Sequence, residues 1–322
     1  MQNISNITNS TTPVRAYAMY SVYIFLGFIQ IIGNWLIVVV FSANKELHRK
    51  EYVLPAALAV CDSIVGLGQV TAGTFRINVL RTGQHTVLQT PWECLWKVHN
   101  QFFLCGLYGI PTMLLLISID RLIACASIKI YVKIDKSRMC AFVSSGVGLC
   151  AVLYAITIYV SHTWTPIVGR VYSKICLTAW AVPPWFNAYV LSMYQFVLAT
   201  LNIVVYFIAV CLLWCRKQGT EMSDDILAAK LRRQIKVTKT LLLIISFGAV
   251  LYTIPACIMC YSAFSKPAAY NVIIPVCWIL MNINSANNIF IYFAKNREIR
   301  AGVAKLFGFK KSATVTNTSS VK

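Results

Sequence analysis

Acidic residues are scarce in this chain. It has 322 residues but only 10 Asp and Glu, against 29 Lys and Arg, and charged residues make up 12% of the total. A soluble domain needs a polar surface, so this shortage beside 58% hydrophobic residues excludes one or two ordinary soluble domains. The composition instead predicts a helical protein that crosses the lipid bilayer several times.

Histidine is also rare, and the acids are dispersed. The four histidines, His48, His85, His99 and His162, are scattered along the chain and form no legible zinc site. Asp62 is the only carboxylate deep in an apolar run, so the paired carboxylates or the nucleophile with its base that an intramembrane enzyme needs are missing. We therefore expect no enzyme, no cofactor and no metal, apart from a sodium ion near Asp62.

Long apolar runs are what the chain has in abundance. Spanning the hydrocarbon as a helix takes about 20 residues, and seven runs reach that length. They are 17–43, 54–78, 98–120, 139–161, 185–214, 237–263 and 270–293. Most of the Lys and Arg follow the odd-numbered runs, which predicts an extracellular amino terminus and a cytosolic carboxyl terminus. In a nucleic-acid-binding patch the cations would have no reason to fall in every second loop, so no nucleic-acid partner is expected.

The segments outside the runs have their own signatures. Three glycosylation sequons begin at Asn3, Asn6 and Asn9, close to the amino terminus. After the last run, apolar residues recur at helical spacing with cations between them, as in helices that lie on a membrane surface. The predicted divisions are a glycosylated extracellular tail at 1–16, a seven-helix domain at 17–293, an amphipathic inner-leaflet helix at 294–309 and a disordered cytosolic tail at 310–322.

An acid and a base stand side by side at the end of the third run, at Asp120 and Arg121. A charge at the membrane centre costs roughly 2.5–3.5 kcal/mol, so we expect this pair at a membrane–water boundary. Taken alone, the pair could equally be a stop signal or a surface ion pair.

Neutral polar residues interrupt the seventh run. Asn284, Asn288 and Tyr292 are spaced i, i+4 and i+8, which places them on one face of a helix. Such a row must face protein, water or an ion, and Asp62 in the second run is its obvious counterpart. In the first run, Asn34 follows Gly33 and is interpreted as the mark of a helix–helix contact.

Most of the 12 cysteines fall inside apolar runs, where a thiol behaves as a small hydrophobic residue. Cys94, before the third run, and Cys176, in the long connection after the fourth, are the two clearest extracellular cysteines. Because the outside is oxidising, we expect them to form a disulfide that ties this connection to the third helix.

These marks occur together in a fixed order. They are Gly33-Asn34, Leu58-Ala59 with Asp62, Asp120-Arg121, and Asn284-Ser285 with Asn288 and Tyr292. In this combination the chain resembles a rhodopsin-like G-protein-coupled receptor over nearly its whole length. The stretch Ser118-Ile119-Asp120-Arg121-Leu122 is similar to that of nematode serpentine chemoreceptors of the SX class.

The resemblance implies a rhodopsin-like bundle of seven helices in the plasma membrane, with a heterotrimeric G protein as its partner and cilia of sensory neurons as one location. It implies that Arg121 turns toward the G protein on activation while Asp120 holds it at rest. It also implies the Cys94–Cys176 disulfide. The residues assigned to coupling and switching are Asn34, Asp62, Asp120, Arg121, Asn284, Ser285, Asn288 and Tyr292.

The resemblance further implies a ligand pocket among the outer halves of helices three, five, six and seven. The candidate lining is Phe103, Leu107, Tyr108, Gln195, Tyr252, Trp278 and Asn282. Such a lining is aromatic with few neutral polar groups, which suits a small, neutral or weakly polar ligand. A neuropeptide-type receptor remains an alternative, and a transporter or channel is a further one.

The chain departs from the family pattern at several positions. Ile289 stands where the usual proline follows Asn288. Near the start of the sixth run, many relatives place an acid that clamps the arginine of helix three, but this chain has Arg232, Arg233 and Lys236. Cations cannot pair with Arg121, so we expect the resting state to depend on Asp120 and to permit some ligand-free signalling.

Overall fold

Long helices dominate the structure, because a chain inside a bilayer must satisfy its backbone hydrogen bonds within each segment. The computed structural model describes residues 13–44, 49–218, 246–265, 270–295 and 297–307. In this part of the chain, seven helices are long and apolar enough to cross a membrane. They are α1 (Pro13–Ala43), α2 (Val53–Arg81), α3 (Val98–Ala126), α4 (Lys136–Val168), α5 (consecutive segments Pro184–Phe186, Asn187–Ser192 and Met193–Gln218), α6 (Ser246–Ser265) and α7 (Tyr270–Lys295).

The predicted all-α fold with seven membrane helices is confirmed. Most helices extend a few residues beyond the apolar run that predicted them, as α4 does at both ends. The first part of the sixth run lies outside the described residues. A further helix, α8 (Arg297–Leu306), falls within the segment predicted to be amphipathic, and its Ile299 is fully buried against the bundle. The predicted tails at 1–16 and 310–322 lie largely or wholly outside the described residues.

The central helix of the bundle is α3. Of its most apolar 18 residues, 72% are buried inside the protein, against 11% for α4, which lies at the periphery. α3 packs against α2, α4 and α5. Asp120 and Arg121 belong to this helix, so their surroundings are protein rather than lipid.

Close helix contacts occur where glycine removes a side chain. A Cβ atom on Gly33 of α1 would lie 2.2 Å from Ile289 Cδ1 of α7. A Cβ atom on Gly27 of α1 would lie 2.7 Å from the carbonyl oxygen of Gly66 on α2. Neither position has room for a larger residue. The helix contact that was predicted for Asn34 is thus made by its neighbour Gly33.

α6 is distorted at its proline. Residues Ala249–Thr253 form a π-helical segment, and the α-helical segment Ile254–Ser265 follows with Pro255 in its first turn. Proline removes one backbone donor and its ring crowds the preceding turn, so a local widening before it relieves the clash. This segment carries Tyr252 into the bundle, where it is buried.

Two short strands close one end of the bundle. β1 (Leu88–Gln89) follows α2, and β2 (Tyr172–Ser173) lies in the connection between α4 and α5. They pair antiparallel, with Leu88 opposite Ser173 and Gln89 opposite Tyr172. The Cys94–Cys176 disulfide lies at the same end, which we call the disulfide end. The opposite end, where α3 finishes, is called the Arg121 end.

Candidate functional site

Asp120 and Arg121 form a buried ion pair. The Arg121 Nε donates to Asp120 Oδ2 at 2.8 Å, and Nη2 contacts the same oxygen. Only 4% of Asp120 and 1% of Arg121 are exposed. The pair lies inside the bundle rather than at the end of α3, which continues to Ala126. Its place at a membrane–water boundary stays a prediction. The two charges compensate each other locally, which makes their burial tolerable.

Tyr131 closes over this ion pair. It lies on a short helix, Ile128–Lys133, that follows α3. Its hydroxyl accepts a hydrogen bond of 3.0 Å from Arg121 Nη2, and its ring centre lies 5.7 Å from the guanidinium carbon. Burial raises the pKa of the Tyr131 phenol above its ordinary value, so the hydroxyl stays neutral. The sequence analysis missed this residue, and the only available signal was an aromatic residue among the cations of that connection.

Asp62 is buried in the middle of the bundle, where α2 meets α7. The Ser285 hydroxyl donates a hydrogen bond to Asp62 Oδ1, and Asn288 also hydrogen-bonds the carboxylate. The structure thus brings together three of the residues assigned to switching. Asn34 instead donates to the carbonyl oxygen of Gln30 in its own helix, at 3.0 Å. The side chain of Tyr292 lies outside the described part of the structure.

A small cavity lies on the disulfide side of Asp62. It is lined by Val65, Phe103, Gly106, Leu107, Ile110, Gln195, Tyr252, Trp278, Met281, Asn282, Asn284 and Ser285. Six of the seven predicted pocket residues are in this set. The Phe103 and Trp278 ring centres are 5.8 Å apart across it. The room inside is about 20 Å³, enough for one or two water molecules.

Tyr108 is the predicted pocket residue that lies elsewhere. Its hydroxyl shares a 2.6 Å hydrogen bond with Thr157 of α4, and its ring packs on Tyr194 of α5. The prediction that it lines the pocket is therefore wrong. One residue further along α3 than Leu107, it is rotated by about 100° around the helix axis and faces α4 and α5.

The cavity and Asp62 share a residue. Ser285 lines the cavity and also donates to the Asp62 carboxylate. Asn284, its neighbour, lines the cavity as well, and its Oδ1 atom is buried with no partner among the described residues. Two polar side chains thus line the cavity at this point, and one of them, Ser285, contacts the buried Asp62. Ser285 and Asn284 were predicted as switch residues but not as residues that line the cavity.

The disulfide end is held by side chains that converge on one carbonyl group. The Cys94–Cys176 bond is formed, as predicted. The Cys176 carbonyl oxygen accepts from Asn100 Nδ2 and His99 Nε2 at 3.2 Å each, and from Arg76 Nη2 at 3.3 Å. A carbonyl only accepts, so His99 carries its proton on Nε2. These contacts fix the connection between α4 and α5 over α2 and α3.

Comparison with known proteins decides the class of this fold. The pattern of the serpentine type 7TM GPCR chemoreceptor family Srsx matches residues 27–307. The chain belongs to the Srsx family. The resemblance inferred from the motifs is therefore confirmed, and the protein is a multi-pass membrane protein of a chemoreceptor-type family.

A relative outside the Srsx family is also similar to this chain. Melanocortin receptor 5 of Sus scrofa is 24% identical over 147 residues, which cover 45% of this chain and 50% of the relative. The chain thus spans about half the length of the curated relative that it matches.

Two further links in this Srsx-family chain were not predicted from its sequence. Gln30 Nε2 of α1 donates to the carbonyl oxygen of Asn282 on α7, at 2.7 Å. Ser118 of α3 donates to Asn202 Oδ1 of α5. All four residues are buried. The first link ties α1 to α7, which lines the cavity, and the second ties α3, which carries the ion pair, to α5.

Proposed function

We propose that this chain is a chemosensory receptor that binds a small, neutral or weakly polar extracellular ligand and activates a heterotrimeric G protein. The observation that carries the proposal is the position of Ser285, which lines the cavity and donates to Asp62. A ligand in the cavity can act on this hydrogen bond directly. A ligand shifts a conformational equilibrium only by its different affinity for the two states, and this contact supplies such a difference.

The chemistry of the cavity supports a ligand without charge. None of its lining residues in the described structure is charged, and aromatic and aliphatic side chains predominate. A buried ammonium or carboxylate group would have no partner there, which is costly. Gln195, Asn282 and Asn284 offer neutral hydrogen bonds that would orient the ligand. Because the room is small, binding of a ligand larger than one or two waters requires the lining side chains to move.

We assign the coupling to the G protein to Arg121. At rest, Asp120 and Tyr131 hold its guanidinium group inside the bundle. When both contacts break, the guanidinium becomes available to a G protein at the Arg121 end. Asp62, Ser285 and Asn288 lie between the cavity and this end, and their oxygen atoms also suit a sodium ion, since hard cations prefer oxygen ligands.

The proposed location is the plasma membrane, including the cilia of sensory neurons. The amino terminus and the disulfide end face outside, and the Arg121 end and the carboxyl terminus face the cytosol. A disulfide at the outer face agrees with an oxidising compartment. We assign the protein no catalytic activity and no cofactor.

A ligand screen in cells tests this function. Cells would express the receptor with a promiscuous G protein, and the panel would hold small neutral odorants, matched charged analogues and peptides. Arg121→Ala runs in parallel, with surface expression checked for both. We expect a response to neutral compounds that the variant loses. Ionic currents or solute uptake that survive in Arg121→Ala would instead favour a channel or transporter.

A neuropeptide-type receptor is the second candidate function. The similarity to a melanocortin receptor favours it, whereas the small volume of the cavity favours a small ligand. The peptide arm of the same screen separates the two.

A further inference from the structure

Lys50 reaches from one connection at the Arg121 end to another. It lies in the turn Lys50–Tyr52, between α1 and α2. Its Nζ donates to the carbonyl oxygen of Ile134 at 2.7 Å and also to the carbonyl oxygen of Tyr131. The same Nζ stands 4.0 Å from the centre of the Tyr131 ring. Lys50 is thus a cation with three contacts on the connection that follows α3.

The helix that Lys50 contacts cannot be stable alone. Ile128–Lys133 has six residues, and an isolated helix of this length is unstable in water. Ser127 caps its start by accepting from the Ile130 amide. At its other end, the last carbonyl groups of any helix lack partners within the helix. Lys50 supplies a donor to two carbonyls there, and its positive charge also favours the negative end of the helix dipole.

The helix matters because it carries Tyr131. The Tyr131 hydroxyl accepts from Arg121, and its ring centre lies 4.0 Å from Lys50 Nζ and 5.7 Å from the Arg121 guanidinium carbon. A cation over an aromatic face is attracted to the ring, more strongly where the cation is desolvated. A loss of Lys50 therefore frees both the helix end and one face of the ring that covers Arg121.

We propose that Lys50 is a positioning residue that holds Tyr131, and through it Arg121, in the resting arrangement, so that loss of Lys50 raises ligand-free signalling. This inference rests on the proposed function, since it assigns Arg121 to G-protein coupling. Lys50 would thus join Asp120 among the residues that hold Arg121 inside the bundle at rest. The sequence has the cations Arg232, Arg233 and Lys236 where many relatives have a clamping acid, and here a lysine between α1 and α2 contributes to holding Arg121.

Two measurements on the full-length receptor test the inference. The first is amide hydrogen exchange of residues 128–133 in the purified protein. The second is ligand-free G-protein activation at matched surface expression. Lys50→Met keeps the length of the side chain but removes its charge and its donors. Lys50→Arg keeps both. Lys133→Met removes an exposed cation from the same short helix and is the matched control.

We expect Lys50→Met to speed exchange of residues 128–133 and to raise ligand-free activation about fivefold, which corresponds to about 1 kcal/mol. Lys50→Arg should restore both values, and Lys133→Met should match the wild type. Tyr131→Phe should raise activation as well, and combining it with Lys50→Met should add less than the sum of the two, since both act on one contact.

Unchanged exchange in Lys50→Met would overturn the inference. Faster exchange with unchanged activation would also overturn it, provided that Asp120→Asn raises activation in the same assay, because Lys50 would then support the helix without acting on Arg121. If no variant activated a G protein, Asp120→Asn included, the proposed function itself would fail. The exchange of residues 128–133 would still decide whether Lys50 holds the helix.

Discussion

Arg121 shows what a charged residue requires inside a membrane bundle. A guanidinium taken out of water costs several kcal/mol unless its partners have good geometry. Here Asp120 supplies the opposite charge and Tyr131 supplies a neutral oxygen and a ring face. One Asp120 oxygen, Oδ1, is buried with no partner among the described residues. The hydrogen-bonding capacity of this ion pair is therefore only partly used.

Ser285 offers a prediction at the scale of one hydroxyl group. Ser285→Ala removes a donor to the buried Asp62 carboxylate. Leaving a buried polar group without its partner costs about 1–3 kcal/mol, so we expect a lower melting temperature for the purified receptor. Ser63→Ala is the matched control, since Ser63 is equally buried beside Asp62 but donates to its own helix at the Ala59 carbonyl. Equal melting temperatures for the two variants would contradict the assigned role.

The contact between α1 and α7 gives a prediction at the scale of elements. In Gly33→Ala the new methyl group would meet Ile289 Cδ1, and overpacking of this kind costs about 1–3 kcal/mol. Ile289→Val removes that carbon but keeps Cγ1 and Cγ2, which would lie 2.9 and 3.0 Å from the new methyl group, so the double variant should regain only part of the lost stability. Thermal unfolding of the purified receptor measures both.

Gly148→Ala is the control for this pair. Nothing lies within 4 Å of a Cβ atom at Gly148 of α4, and alanine is favoured over glycine in a helix by about 1 kcal/mol. We expect the control to be neutral or slightly more stable. A Gly33→Ala variant as stable as Gly148→Ala would show that α1 and α7 are not in close contact.

Elements were easier to predict from the sequence than their ends. The seven apolar runs give the helices because only a helix satisfies its own backbone in lipid. The end of α3 was misplaced, since Asp120 and Arg121 interrupt the run by composition but neutralise each other in space. Tyr131 was missed for a related reason. Its role depends on a short helix that Lys50 caps from 81 residues away along the chain, and no local pattern contains that contact.

The rotation of each helix decided which site predictions succeeded. Phe103 and Leu107 line the cavity because four residues bring a helix back to nearly the same face. Tyr108 and Asn34 face other partners, which the resemblance alone could not reveal. Asn288 meets Asp62 as predicted, whereas Asn284 lines the cavity and Ser285 takes the place beside Asp62 that was predicted for Asn284. A lone acid among apolar helices attracts the available hydrogen-bond donors.

The orientation of the whole molecule can be tested with its sequons. The sequence predicts that Asn3, Asn6 and Asn9 lie outside and that Asn317, in the sequon Asn317-Thr318-Ser319, lies in the cytosol. Replacing the first three with Gln should abolish the mass shift that a glycosidase produces. Asn317→Gln should leave it unchanged. A shift that depends on Asn317 would reverse the proposed topology.

At the scale of the whole molecule, the structure holds two buried polar groups, one below a small uncharged cavity and one around Arg121. Ser285 joins the cavity to Asp62, and Tyr131 joins Arg121 to the connections at the Arg121 end. Just before the sixth apolar run, the sequence has the cations Arg232, Arg233 and Lys236 instead of a clamping acid. The receptor should therefore populate its active state to a measurable extent without ligand.

The measurement that tests the central claim most directly needs no ligand. Purified receptor would be placed in vesicles with a heterotrimeric G protein, and nucleotide exchange would be compared with that of vesicles lacking the receptor. We predict exchange above this background for the wild type, more for Asp120→Asn, and none for Arg121→Ala at the same receptor content. Exchange that is equal in all three proteins, or that never exceeds the background, would contradict the account.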